Sequence, residues 1–214
     1  MKRVTEQNNF IYFTLALLLL MLCSALVNSV PDTRRLMLVE IVILVTQIVA
    51  YISLDFGPRW RYFVGTTILL VIAANLLHRF AGWSAAPLTA LTFALIFYVG
   101  MTLAAARRVL LPKAVDTNIV VGALAIYMLL GLIWATLYLI TLEFLPNAFN
   151  GIDHIYWGDN FSNALYFSYI TMTSVGYGEI TPATTVSRTL AYMQAMTGTF
   201  YLAIVVASLV SARR

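Results

Sequence analysis

Six apolar runs, at about 10–30, 36–54, 62–77, 87–106, 119–142 and 186–210, constrain what this chain can fold into. A helix crosses roughly 30 Å of hydrocarbon in about 20 residues, and the runs match that length, with the third the shortest at its apolar core. Lipid offers the backbone no hydrogen-bond partners, so each run must pair its own N–H and C=O groups. The fold class expected is therefore an all-α membrane protein with six transmembrane helices. Composition agrees, with 61% of the 214 residues hydrophobic and 10% charged. Met1-Lys2-Arg3 resembles the start of a signal peptide. The apolar run after it is about 20 residues long with no clean small-residue cleavage site, so it reads as a retained span.

An even number of spans puts both termini on one side. With the termini cytoplasmic, the inner segments hold nine basic residues: Lys2, Arg3, Arg59, Arg61, Arg107, Arg108, Lys113, Arg213 and Arg214. The outer segments hold four, Arg34, Arg35, Arg79 and Arg188, and the excess favours this orientation. Trp60, Trp83, Tyr156 and Trp157 stand near run ends, as interfacial aromatics do. A net charge of +4 without a basic arm calls for no nucleic-acid partner. The lone Cys23 allows no disulfide framework or cysteine metal site within the chain and reads as a packing residue.

Between the fifth and sixth runs lies a segment too short and polar to span. Residues 160–173 read as one amphipathic helix of about 13 residues. A loop of 17 residues, Phe144 to Asn160, precedes it with Pro146, Gly151 and Gly158. After it comes Thr171 to Pro182, TMTSVGYGEITP. Its centre, Ser174-Val175-Gly176-Tyr177-Gly178, resembles the selectivity filter of the potassium-channel family, usually written TVGYG. The resemblance extends from Asp116 to about Val210, as outer helix, pore helix, filter loop and inner helix. Gly176 and Gly178 are the residues able to take positive φ without a Cβ clash.

The resemblance carries several implications. Four copies of the loop would surround one axis, and backbone carbonyls would replace the water around K⁺. The Ser174 hydroxyl would line the innermost site. Val175 and Tyr177 would point away from the axis and pack against the supporting helix. Thr173 matches the paired hydroxyl residues at the cavity mouth, and Tyr166-Phe167 stands where the family carries an aromatic pair that braces the filter. Glu179 replaces the usual aspartate and Ser174 the usual threonine, which keeps the functional groups and leaves fine selectivity open. Ile170 stands where some relatives carry a carboxylate paired with that acid. Gly198, 19 residues after Glu179, reads either as the inner-helix hinge or as a close-packing small residue. Ala195, Thr199, Leu202, Val206 and Val210 form one helical stripe, a candidate cavity lining and gate, though a lipid-facing stripe would have the same pattern.

The expected organisation is a four-helix transmembrane bundle over 1–106, a membrane-surface linker over 107–117 and a tetrameric pore domain over 118–214. Voltage-gated relatives place arginines at every third position of the fourth helix. Here 87–106 contains none, and Arg107 and Arg108 appear only at its inner end, as topology anchors or contacts to anionic lipid. Steep voltage gating is therefore not expected. Glu40, the carboxylate inside a span, is read as an ion pair near His78 and Arg79, with an ion pathway or proton sensor as the alternative. Asp153-His154 reads as a solvated loop, and the glycosylation sequon at Asn160 is discounted because it abuts the pore helix. No nucleophile, acid–base pair or cofactor motif points to an enzyme.

The function expected is a K⁺-selective channel acting as a homotetramer in the lipid bilayer, with no cofactor and K⁺ as the permeant ion. A weakly selective cation channel and a non-conducting regulatory subunit are the alternatives. The compact form suggests a bacterial inner membrane.

Overall fold

The structure is a computed structural model that describes residues 9–27, 32–53, 57–81, 83, 85–109 and 117–211. The elements in order are α1 (Asn9–Val27), α2 (Asp32–Ser53), α3 (Pro58–Ala81), α4 (Ala86–Val109), α5 (Thr117–Phe144), β1 (Phe149–Asn150), α6 (Trp157–Met172), β2 (Thr181–Pro182) and α7 (Thr185–Ser211). The protein is an all-α membrane protein. Among the described residues, four helical stretches are long and apolar enough to cross a membrane: Asn9–Leu26, Trp60–Leu77, Ala86–Val109 and Thr117–Phe144. Within α2 the apolar stretch is shorter, Leu38–Ser53. In α7, 27 residues long, Arg188, Gln194, Thr197 and Thr199 interrupt the apolar positions.

The helices begin earlier than the sequence pattern suggests, by three or four residues in α2, α3 and α6. Pro58 opens α3, where its missing N–H costs nothing, and Gly57 before it takes φ 102°. Trp157 opens α6. Gly158, expected in the preceding loop, lies buried in the first turn, with Asp159 beside it at the positive end of the helix dipole.

One hydrophobic core runs through the helices, including Phe13, Leu17 and Leu20 of α1, Phe97 and Met101 of α4, and Ile126, Leu129 and Leu132 of α5. Helix α1 is also tied to α5 by polar contacts. The Phe10 N–H donates to Asn118 Oδ1 at 3.1 Å, and the Thr14 hydroxyl donates to the Val121 carbonyl at 3.3 Å. A second cluster, Trp134, Tyr138, Leu142, Phe149, Ile152, Phe167, Ile170 and Ile180, packs α6 and its flanking loops onto the end of α5.

Glu40 is half-buried on α2. The side chains of His78 and Arg79 lie outside the described residues, as do residues 110–116 of the expected linker.

Candidate functional site

The segment from Gly151 to Ile180 leaves and returns at one place. β1 and β2 pair antiparallel, Phe149 with Pro182 and Asn150 with Thr181. The Ala183 N–H extends the pairing to the Ala148 carbonyl at 2.8 Å. Gly151, at φ 81°, lies so close to the Glu179 carbonyl that a Cβ there would collide with it. Helix α7 starts immediately afterwards in a reciprocal cap: the Ser187 N–H donates to Thr184 Oγ1 at 3.2 Å, and the Thr184 N–H donates to Ser187 Oγ at 3.0 Å.

The end of α6 sets the conformation of the loop. The Ser174 N–H donates to the Thr171 carbonyl at 3.0 Å, and the Val175 N–H reaches back to the Ile170 carbonyl at 2.9 Å. These two bonds form a Schellman C-cap with Ser174 in the left-handed position that glycine usually occupies, at φ 59°. Gly176 follows at φ 54° and Gly178 at φ 99°. Positive φ thus falls on alternate residues from 174 to 178. No heavy atom lies within 4 Å of a Cβ built on Gly176 or Gly178, so within one chain backbone conformation, not space, calls for glycine.

The Tyr166 hydroxyl donates to Glu179 Oε1. That bond, with desolvation and the Glu179 charge adding to it, pushes the Tyr166 phenol up to about 12, so it stays a donor at ordinary pH. Glu179 therefore has a phenol as partner, and Ile170 is buried in the second core cluster. Phe167 is buried, with ring centroids 4.9 Å from Tyr138 and 5.4 Å from Phe149. The Thr173 hydroxyl turns back to the Tyr169 carbonyl at 2.7 Å. Val175 and Tyr177 depart from expectation: they are 53% and 74% exposed, because nothing in their own chain covers them.

Helix α7 runs unbroken through Gly198, which is buried. A Cβ on Gly198 would collide with the Met172 carbonyl and side chain, so this glycine packs α7 against the end of α6. Thr199 and Leu202 are exposed; the side chains of Val206 and Val210 lie outside those described. Arg107 and Arg108 are exposed in the last turn of α4. Asp153 and His154 are exposed, and among the described residues no group of three or more His, Cys, Asp or Glu is placed to hold a metal.

Sequence reasoning missed a buried polar network behind the loop. Gln194 Nε2 donates to the Ser168 carbonyl at 2.8 Å and to Ser168 Oγ at 2.7 Å. The Tyr138 hydroxyl donates to Gln194 Oε1, and Ser168 Oγ donates to the Gly131 carbonyl at 2.6 Å. The available signal was Gln194 itself, the one carboxamide in the run 186–210.

Comparison with known proteins places this region. Residues 124–213 match the family described as "Ion channel". The chain is similar to the two-pore potassium channel 4 of Arabidopsis thaliana, 33% identical over 79 residues. The match covers 37% of this chain and 26% of that protein's length. No solved structure matches. The C-terminal region of this chain is thus similar to ion-channel domains, and the chain spans about a quarter of the length of the potassium channel that it matches.

Proposed function

We propose that four copies of this chain surround one axis and conduct K⁺ selectively through the backbone of residues 174–178, in a membrane crossed by six helices per copy. The observation that carries this reading is the alternation of positive φ at Ser174, Gly176 and Gly178. A strand sends successive carbonyls to opposite sides, whereas backbone of alternating hand turns them to one side, as a carbonyl filter needs. The β1–β2 pairing supports a re-entrant course, since the intervening helix and loop begin and end together. Irregular backbone at membrane depth is tolerated where it lines a water-filled path.

The sequence carries one such loop, so a ring of four requires four chains with cyclic symmetry. In that ring Val175 and Tyr177, uncovered in one chain, would be covered by a neighbouring subunit. The polar character of α7 fits an inner helix that meets water on one face. K⁺ would exchange water for carbonyls and move between adjacent sites by knock-on. Residues 1–106 would form the surrounding bundle, 107–117 a surface linker and 118–214 the pore domain, with both termini cytoplasmic.

The test is the reversal potential of the purified protein in planar bilayers, with K⁺ on one side and Na⁺ on the other. The expected value lies near the K⁺ equilibrium potential. Clear current reversing near zero would instead establish a weakly selective cation channel, the outcome to which Ser174 and Glu179 are relevant. Absence of current from the assembled tetramer would favour a non-conducting subunit.

A further inference from the structure

We propose that Gln194 is the positioning residue of the loop, a single carboxamide that fixes where the last turns of α6 stand and therefore where residues 174–178 hang. The inference rests on the reading of those residues as a filter. Tyr138, Ser168 and Gln194 are each completely buried. Their bonds form a closed circuit from α5 to α7 to α6 and back to α5. The Tyr138 hydroxyl donates to Gln194 Oε1, Gln194 donates both amide protons to Ser168, and Ser168 donates to the Gly131 carbonyl. Filling the centre of this circuit takes two donors and an acceptor on one planar group, which a carboxamide supplies and a carboxylate or thioether does not.

The circuit lies in register with a second contact. One helical turn along both helices, Gly198 of α7 seats against Met172 of α6, two residues before Ser174. Helix α7 therefore touches the C-terminal half of α6 at two successive turns, first by hydrogen bonds and then by close packing. The far side of the loop is held independently by the bond from Tyr166 to Glu179. The loop is thus tied at both ends, and its inner tie runs through α7. A displacement of α7 reaches residues 174–178 through Gln194 before any other polar contact between these helices that the structure shows.

The experiment is hydrogen exchange on the full chain in lipid nanodiscs, comparing the wild type with Gln194→Met, Gln194→Glu and Tyr138→Phe. Gln194→Met keeps the length and removes every bond, leaving the Tyr138 hydroxyl without its acceptor. Amides of residues 172–178 should exchange about tenfold faster, with α1 to α4 unchanged. Gln194→Glu, whose carboxyl is kept protonated by burial, retains an acceptor for Tyr138 and one donor toward Ser168 and should show a smaller increase than Gln194→Met. Tyr138→Phe removes one hydroxyl without changing the shape of the core and should give a smaller increase in the same peptides.

Wild-type exchange at 172–178 in the Gln194 variants, or an increase spread evenly over all helices, would overturn the proposal. So would a Gln194→Glu increase as large as that of Gln194→Met. Reversal potentials on the same preparations separate the two ideas. A selective wild type whose Gln194→Met form reverses nearer zero supports both. An unselective wild type removes the filter reading alone, because the exchange data decide the role of Gln194 without any current.

Discussion

Replacing Gly198 by alanine separates a hinge from a packing contact. At an unconstrained helix position alanine is favoured over glycine by about 0.5–1 kcal/mol. At Gly198 the added Cβ would overlap the Met172 carbonyl, which is backbone and cannot rotate away. Forcing an extra carbon into a packed interior typically costs about 1–3 kcal/mol. The net expectation is a loss of about 1–2 kcal/mol, or roughly five- to thirtyfold in the folded-to-unfolded ratio. The control is Gly65→Ala in α3, where nothing lies within 4 Å of the new Cβ and a small gain is expected. Both variants would be unfolded by titrating a denaturing detergent into mixed micelles, with tryptophan fluorescence and far-UV dichroism as readouts. Adding Met172→Ala to Gly198→Ala should recover part of the loss, because it removes the side-chain overlap and leaves the carbonyl in place. A Gly198→Ala protein as stable as Gly65→Ala would refute the packing argument, and the flexibility of a hinge would then be the reason for glycine.

Gly178→Ala should abolish K⁺ selectivity or conduction while leaving membrane insertion intact. At φ 99° the substitution costs roughly 1–2 kcal/mol of backbone strain, with open space around the new carbon; unaltered selective current would sink the carbonyl reading. Ser174→Gly should raise the unfolding midpoint, since it relieves a non-glycine residue held at φ 59°, and should change conductance if its hydroxyl lines the innermost site as proposed; an unchanged midpoint would show the C-cap to be unstrained. Tyr166→Phe removes the donor to Glu179 and should alter how current decays during sustained opening, read as the ratio of steady to peak K⁺ current. Conductance measured over about ±100 mV should show an effective gating charge below about one elementary charge, against the several required for steep gating, because the body of α4 carries no basic residue before Arg107.

The loop was legible because its chemistry lies in consecutive residues. Two glycines two apart, next to a hydroxyl residue and behind a short amphipathic helix, specify backbone conformation directly. Gly158 misled for the opposite reason: a glycine reads as a loop residue, yet in the first turn of α6 it is buried and its N–H needs no helical partner. The β1–β2 pair is two residues long on each side, too short to leave an alternation in the sequence. Gln194 was passed over because its partners, Ser168 and Tyr138, lie 26 and 56 residues away. A polar residue in an apolar run announces that it needs partners, but only the fold names them. The exposure of Val175 and Tyr177 was illegible for another reason, since apolar side chains read as packed residues and nothing in the sequence shows that their own chain leaves them uncovered.

Helix α7 carries two physically different stripes, the row with Thr199 and Leu202 that the sequence pattern picks out and a second row that the structure shows engaged. Ser187, Gln194, Gly198 and Tyr201 are engaged within the chain: Ser187 with the Ala148 carbonyl, Gln194 with Ser168, Gly198 against Met172, and the Tyr201 hydroxyl with the Ala123 carbonyl. Rotating α7 to bring that stripe to an axis would leave buried hydrogen-bonding groups on α5 and α6 without partners, at about 1–3 kcal/mol each. The stripe with Thr199 and Leu202 carries no such debt, since both are exposed and the Thr199 hydroxyl is satisfied within its own helix by the Ala195 carbonyl at 3.0 Å. If α7 lines a pore, the face it can offer without loss is therefore the one with Thr199 and Leu202. The engaged face serves instead to keep residues 174–178 in place.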